Sequence, residues 1–133
     1  MKILSLDYGE KRIGLAIGDT ETKLALPYGV IPRTADELVL EQLQQILTEE
    51  DIGTVLVGEP LSTSGKTSAQ TVVSRQFAEF LKSQLGVPVV LFDERFTSQR
   101  ADAAAAGGGK VRTRDELAAM FLLQDYLERP SAH

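Results

Sequence analysis

The pattern of apolar and polar positions predicts a β-hairpin at the start of the chain and a third strand after it. Two short apolar runs, at residues 3–6 and 13–17, are separated by a polar break that contains glycine, which is typical of two antiparallel strands joined by a turn. The next apolar stretch, at residues 24–31, carries Pro27 and Gly29. Because proline cannot donate a ladder hydrogen bond, we expect this third strand to lie at an edge of the sheet.

Strands and helices alternate in the next part of the chain. Thr34 and Glu37 have the spacing of a capping box, and apolar residues follow at helical spacing. The sequence therefore predicts a first helix that Thr34 caps and that ends near Glu50. The apolar runs at residues 53–57 and 87–92 predict two further strands.

Three more helices are predicted. One begins at Ser64 or a close neighbour and continues to Gly86, which fits the position just after a helix end. A short alanine-rich helix is predicted from Thr97 to about residue 106, where three glycines follow. A second capping box, formed by Thr113 and Glu116, predicts a last helix that continues to about residue 127.

This order of elements predicts the fold class. Three antiparallel strands, followed by strands that alternate with helices, indicate an α/β fold with a five-stranded mixed sheet and helices on both faces. We expect a single domain over residues 1–129 and a frayed tail at residues 130–133. A chain of 133 residues can bury an ordinary core, and 43% hydrophobic with 25% charged residues is typical of globular proteins.

Composition restricts the metal chemistry and the compartment. The chain has no cysteine, and its one histidine is the last residue, His133, so any metal ion would be held by oxygen ligands. Oxygen ligands favour Mg²⁺ or Mn²⁺ over zinc. No apolar run reaches the length of a membrane span, and no secretory signal is visible. We therefore expect a cytoplasmic protein without a membrane partner.

The charge of the chain is unevenly distributed. The net charge of −5 argues weakly against a nucleic-acid partner, because basic surfaces are what attract phosphates. However, residues 33–51 hold six acidic residues and one basic residue, whereas residues 95–114 hold five basic residues and one acidic residue. Such asymmetry permits one face to meet phosphates while another face repels them.

Three carboxylates fall at the ends of predicted elements that the fold can bring together. Asp7 ends the first strand, Glu94 follows the last strand, and Asp115 lies in the first turn of the last helix. Parallel strands place their C-terminal ends at one edge of a sheet, so Asp7 and Glu94 should lie close together. Like charges this close are unfavourable unless a cation lies between them. The three residues are therefore a candidate metal site that could activate water for phosphodiester hydrolysis.

Each of these residues also has a purely structural interpretation. Asp7 could cap a turn, and Asp115 would be stabilised by the helix dipole wherever its helix packs. Glu94 could form a surface ion pair with Arg95, and Asp93 could be the inward-facing residue in its place.

Several basic residues could hold a phosphodiester backbone. Arg95 could clamp a phosphate through two hydrogen bonds or hold a carboxylate in the same way. Lys11 and Arg12 could contact phosphate, although a solvated turn is the more ordinary setting for them. The candidate substrate-binding residues are Lys11, Arg12, Lys66, Arg95, Lys110, Arg112 and Arg114.

These residues, in this order, resemble the YqgF family. Its members are bacterial proteins with a ribonuclease H-like fold, described as pre-16S rRNA nucleases and Holliday-junction-resolvase homologues. The matching segments span nearly the whole chain, at residues 6–16, 57–61, 77–78, 93–98, 115–119 and 124–127.

The resemblance implies a ribonuclease H-like fold, with Asp7, Glu94 and Asp115 as catalytic metal ligands. It also implies precursor rRNA as substrate and a ribosome precursor as partner, with branched DNA as a second candidate. Two features depart from the family pattern. Glu59 stands where an apolar residue usually precedes the proline and could be a further ligand or simply solvated, and residues 103–109 are unlike the usual sequence there. The oligomeric state stays open, and a homodimer is one candidate.

Two other functions fit parts of the sequence. An ATP-binding module of the actin and sugar-kinase type also carries Asp-x-Gly in its first hairpin, but such proteins need two such domains and this chain has room for one. A non-catalytic RNA-binding or ribosome-assembly protein could keep the fold without the chemistry, and the retained carboxylates argue against it. The sequence therefore favours a metal-dependent nuclease.

Overall fold

The computed structural model describes residues 1–60, 65–93 and 114–129. The predicted helix at residues 97–106, the capping box at Thr113 and the tail at residues 130–133 lie outside these residues. The strands and helices of the described part are β1 (Lys2–Tyr8), β2 (Arg12–Asp19), β3 (Ala25–Pro32), α1 (Asp36–Glu50), β4 (Ile52–Glu59), α2 (Ala69–Gln84), β5 (Val89–Asp93) and α3 (Arg114–Glu128).

The five strands form one sheet in the order β3-β2-β1-β4-β5. β1 lies at its centre, antiparallel to β2 on one side and parallel to β4 on the other. β3 pairs with β2 at one edge, as its proline predicted, and β5 runs parallel to β4 at the other edge. The predicted mixed sheet of three antiparallel and two parallel strands is thus confirmed.

The two faces of the sheet bury separate hydrophobic clusters. Leu4 and Leu6 of β1 pack with side chains of α1 and α2 on one face, which we call the α1/α2 face. Ile3 of β1 and Ala16 of β2 pack with α3 on the opposite face, the α3 face. Successive residues of β1 therefore alternate between the faces, as strand geometry requires. Helices cover both faces, as predicted.

Glycines in β2 let α3 pack close to the sheet. A Cβ atom at Gly14 would collide with the carbonyl oxygen of Asp115 and would lie 2.9 Å from the backbone nitrogen of Glu116. A buried hydrogen bond holds the next turn of the same helix, because Ser5 Oγ donates to the carbonyl oxygen of Ala119 at 3.0 Å. The N-terminal half of α3 is thereby fixed against the β1–β2 hairpin.

The predicted cap of the first helix is wrong. The N-cap residue of α1 is Ala35, one residue after Thr34, and its side chain makes no capping hydrogen bond. Thr34 therefore lies too early to reach the first free backbone amides. Asp36 and Glu37 both fall in the first turn, where their charges interact favourably with the helix dipole.

The second helix begins later than predicted. Its N-cap is Ser68, four residues after Ser64. The side chains of Ser68 and Thr71 each accept a hydrogen bond from the backbone N–H of the other, at 3.3 Å and 3.0 Å. The sequence signature of a capping box has Glu or Gln in the place of Thr71, so the pattern did not indicate this one. Gly86 follows the C-cap, Leu85, as predicted.

Of the helices in the described residues, none combines the length and the apolar character that crossing a bilayer requires.

Candidate functional site

Asp7 lies at the C-terminal end of the central strand, on the α3 face. It is the last residue but one of β1, within the strand rather than just beyond it, and it pairs with Gly14 of β2. Ser5, two residues earlier, bonds to α3. Because side chains two residues apart share a face of a strand, Asp7 also points to the side of the sheet that α3 covers.

Asp115 lies near Asp7 at this end of the sheet. It lies in the first turn of α3, and its side chain is 12% exposed. Its carbonyl oxygen packs against Gly14, the cross-strand partner of Asp7. Cross-strand partners have Cβ positions only about 5 Å apart. The structure therefore brings together two of the three predicted carboxylates, from the two ends of the chain.

Arg12 binds the carboxylate of Asp115. Its Nε donates to Oδ2 of Asp115 at 2.8 Å, while the Arg12 side chain remains 62% exposed. Arg114 Nη1 lies 4.0 Å from Oδ1 of the same carboxylate. Two of the basic residues predicted to contact substrate thus lie against a predicted metal ligand.

The hairpin turn beside these carboxylates is held from the α1 side. Arg33 Nη1 donates to the carbonyl oxygen of Gly9 at 2.9 Å, and its guanidinium lies 4.2 Å from the centre of the Tyr8 ring. A Cβ at Gly9 would lie 2.7 Å from the Arg12 carbonyl oxygen and 4.0 Å from Asp115 Oδ1. No local pattern in the sequence indicated Arg33, because it belongs to an acidic segment and contacts the turn only through the tertiary fold.

The first turn of α2 is tied to the same edge. Gln70 Nε2 donates to the carbonyl oxygen of Tyr8 at 2.5 Å, and Thr71 Oγ1 donates to that of Pro60. Side chains of α2 therefore fix the backbone at the C-terminal end of β1 and at the residue that follows the adjacent strand, β4. These contacts, too, had no signature in the sequence.

Tyr8 takes the face opposite to Asp7. Its ring stacks on Phe77 of α2 with ring centres 4.0 Å apart and planes 13° apart. Burial raises the pKa of Tyr8 above its ordinary value, against the opposing effect of Arg33. The phenol is therefore protonated at neutral pH, and its oxygen lies 3.5 Å from Oδ1 of Asp36.

Glu59 and Asp93 lie apart from Asp7. They are neighbours in the β4–β5 register, and Val57 and Leu91, two residues earlier on each strand, pack on the α1/α2 face. Alternation places Glu59 and Asp93 on that same face. Glu59 Oε2 accepts from Arg75 Nε at 2.5 Å, so Glu59 is neither a simple solvated residue nor part of the Asp7 cluster.

The other residues predicted for the site are either exposed or outside the described residues. Lys11 and Lys66 are exposed. Within the described ranges, no group of three or more acidic or histidine side chains lies close enough to hold a metal ion. The residues predicted for the site that fall outside the described ranges are Glu94, Arg95, Lys110 and Arg112.

The side chains at Asp7 and Asp115 suit a hard divalent cation. Both offer carboxylate oxygens, which Mg²⁺ and Mn²⁺ prefer. The Arg12 guanidinium already places one positive charge against Asp115 at 2.8 Å. The Asp115 carboxylate is thus already paired with a cationic group in this structure.

Comparison with known proteins identifies the family. The family model described as "RuvX: Holliday junction resolvase" matches residues 1–129. The chain belongs to this family. The resemblance to YqgF proteins is therefore confirmed, and RuvX-family membership makes the chain a hydrolase of the nuclease class that acts on nucleic acid.

Relatives match this RuvX-family chain over nearly its whole length. A protein of Chloroflexus aurantiacus named "Putative pre-16S rRNA nuclease" is 38% identical over 95% of this chain and 86% of its own. One of the same name from Maridesulfovibrio salexigens is 35% identical over 97% and 99%.

Solved structures confirm the ribonuclease H-like fold for this RuvX-family chain. Thermus thermophilus RuvC in complex with a Holliday junction substrate superposes with a TM-score of 0.64 at 15% identity, covering 95% of this chain and 92% of RuvC. The fowlpox virus resolvase in its complex with Holliday junction DNA gives a TM-score of 0.58 at 16% identity, over 96% and 97%.

Proposed function

We propose that this protein is a metal-dependent endonuclease that hydrolyses phosphodiester bonds of precursor 16S rRNA. Asp7, Glu94 and Asp115 would be its catalytic metal ligands, with Mg²⁺ or Mn²⁺ as the metal. The observation that carries the proposal is the packing of Asp115 on Gly14, the β2 partner of Asp7. It joins carboxylates more than a hundred residues apart in sequence at one end of the central strand.

The face assignments support Glu94 as the third ligand. Asp93 belongs by strand alternation to the α1/α2 face, together with Glu59, whereas Asp7 and Asp115 belong to the α3 face. Of the two adjacent acidic residues, Asp93 is thus the one that strand alternation argues against as a ligand in this proposal. This leaves Glu94 as the acidic residue at the end of β5 that the proposal uses.

The proposal assigns distinct roles to the residues around the carboxylates. Bound divalent ions would supply a nucleophilic water and neutralise the leaving oxygen. Asp7, held in the sheet, and Asp115, held on Gly14, fix the ligand oxygens so that little reorganisation is needed during reaction. The residues proposed to hold the phosphodiester backbone are Lys11, Arg12, Lys66, Arg95, Lys110, Arg112 and Arg114, of which Arg12 first has to leave Asp115.

The similarity of the relatives favours precursor rRNA over branched DNA. The proteins whose names specify pre-16S rRNA share 35% and 38% of their residues with this chain. The junction-bound resolvases share 15% and 16%, a level that supports a common fold only. We therefore propose a cytoplasmic role at the ribosome precursor and treat a four-way junction as the competing substrate.

The test is cleavage of both substrates by one protein preparation. We expect a precursor 16S rRNA fragment to be cut in Mg²⁺ or Mn²⁺ and to stay intact in EDTA. Asp7→Asn should abolish cleavage without changing the circular dichroism spectrum, because it removes a ligand charge and leaves the shape. Asp93→Asn is the matched control from the opposite face and should cleave normally.

Three results would contradict parts of this proposal. Undiminished cleavage by Asp7→Asn would remove the catalytic assignment. Cleavage of the junction alone would keep the nuclease and refute the rRNA substrate. Tight RNA binding without turnover in either metal would favour a non-catalytic assembly protein.

A further inference from the structure

A cavity of about 400 Å³ opens on the α1/α2 face, beside the end of β1. Its size falls within the range of roughly 300–1,000 Å³ that small-ligand sites occupy. Its walls come from the strand end, the segment before α1 and the middle of α2. The residues that give it chemical character are Tyr8, Arg33, Asp36, Gln76 and Phe77.

The cavity combines a flat cationic surface with a carboxylate. The guanidinium of Arg33 lies 4.2 Å from the Tyr8 ring centre, and that ring lies in turn on Phe77. The hydrogen bond from Arg33 to Gly9 fixes the guanidinium in this orientation. Asp36, exposed at the start of α1, adds acceptor oxygens near the Tyr8 hydroxyl.

We propose that this cavity binds a nucleobase, and guanine in preference to the other bases. Unpaired bases stack on aromatic rings and on arginine planes, and they are read through hydrogen bonds to their edges. Guanine presents two adjacent N–H donors on its Watson–Crick edge, which match the two oxygens of the Asp36 carboxylate. Free phosphate is disfavoured, because Asp36 and Glu37 both carry negative charge at this end of α1.

Gly9 connects the cavity to the carboxylates on the other face. Its carbonyl oxygen accepts from Arg33, and a Cβ on the same residue would lie 4.0 Å from Asp115 Oδ1. An RNA strand whose phosphate is held at Asp7 and Asp115 can therefore place a neighbouring base in the cavity. This inference rests on the proposed nuclease function and deepens it, because it assigns a sequence preference next to the cleaved bond.

The first test measures binding without metal and without cleavage. Guanosine 5′-monophosphate, titrated in EDTA and followed by ¹H–¹⁵N NMR, should shift the amides of Tyr8, Arg33 and Asp36. Adenosine 5′-monophosphate should shift them much less at equal concentration. Asp36→Asn should remove the difference between the two nucleotides, while Glu37→Gln, a neighbouring charge change outside the cavity, should preserve it.

The second test measures the preference during cleavage of a random-sequence RNA, with the cut ends sequenced. The wild-type protein should cut next to guanine several-fold more often than next to other bases. Asp36→Asn should lose that preference, so that its cuts next to guanine become no more frequent than its cuts next to the other bases. Arg33→Lys keeps the charge without the flat guanidinium and should weaken guanine binding.

The outcomes separate this inference from the nuclease proposal. Metal-dependent cleavage with no base preference in the wild type would overturn the base site and leave the nuclease intact. Nucleotide shifts that are equal for both bases, or confined to other surfaces, would overturn it whether or not RNA is cut. A guanine preference that survives Asp36→Asn would also overturn it, because the Asp36 carboxylate would then not be the group that recognises guanine.

Discussion

At the C-terminal edge of the sheet, an arginine Nε donates to a carboxylate on each face. On the α3 face, Arg12 binds Asp115 at 2.8 Å, and on the α1/α2 face Arg75 binds Glu59 at 2.5 Å. The two carboxylates are similarly shielded, with 12% and 19% of their side chains exposed. The ion pair by itself therefore does not mark a functional site.

The supports of the two pairs differ. Asp115 belongs to the first turn of a helix whose backbone packs on Gly14, beside a third element that carries Asp7. Glu59 belongs to a strand, its partner Arg75 comes from the second turn of α2, and that helix contacts the neighbouring Pro60 through the side chain of Thr71. A site that must hold charge in fixed geometry needs such rigid support from several elements. This is why we place the chemistry on the α3 face, and each prediction below tests that placement.

The largest expected effect is on cleavage by the two carboxylate variants. Asp115→Asn should lower metal-dependent cleavage by at least about 100-fold, because ligands of catalytic ions supply several kcal/mol of transition-state stabilisation. Glu59→Gln should change the rate by no more than about twofold, as expected of an ion pair away from the reacting groups. Single-turnover rates at saturating Mn²⁺ measure both. The opposite ranking would move the site to the α1/α2 face.

The next effect is on stability, through the close approach of α3. Gly14→Ala should lower the free energy of unfolding by about 3 kcal/mol, the upper part of the range for overpacked sites, because the new methyl group meets the Asp115 carbonyl. Urea denaturation gives this value directly. Gly86→Ala is the matched control, since a Cβ there meets nothing within 4 Å. Equal losses in both variants would show that α3 adjusts freely and that the support is not rigid.

These two predictions also show what the sequence could and could not foresee. The order of elements along the chain and the position of Asp7 at the end of the first strand followed from the local hydrophobic pattern. Contacts between distant segments leave no local pattern, so the hydrogen bonds from Arg33 to Gly9 and from Gln70 to Tyr8 could not be predicted from the sequence. The cap at Thr34 failed for a related reason, because a shift of one residue moves a side chain out of reach of the amides.

A smaller effect is expected on metal affinity. Arg12→Gln should bind Mn²⁺ about three- to tenfold more tightly than wild type, because the guanidinium no longer competes for Asp115 and no longer repels the ion. Isothermal titration calorimetry measures this without substrate. Arg114→Gln removes the same charge at 4.0 Å and should have the weaker effect, and Arg75→Gln on the other face should have none. Equal gains in Mn²⁺ affinity for Arg12→Gln and Arg114→Gln would mean that Arg12 acts on the metal through its charge alone, and that its hydrogen bond to Asp115 does not compete with the ion.

The smallest effect is on the pH dependence of stability and involves Tyr8, which neighbours Asp7 in β1 but lies on the opposite face of the sheet. Burial raises the pKa of Tyr8 in the folded protein, while the unfolded chain keeps the ordinary value of about 10. The unfolded state thus loses its proton first as the pH rises. Stability linked to Tyr8 is complete below about pH 10 and is lost as the pH rises through the folded-state pKa.

Tyr8→Phe should therefore flatten the fall in unfolding free energy between about pH 9 and about pH 11, whatever it does to the stability at neutral pH. Urea denaturation across this range gives the slope for each protein. Tyr28→Phe, on the edge strand, also removes a phenol whose pKa is raised and should flatten the fall in the same direction. A steeper fall in Tyr8→Phe than in wild type would mean that the folded state holds the Tyr8 phenolate, and that Arg33 rather than burial governs this side of the edge.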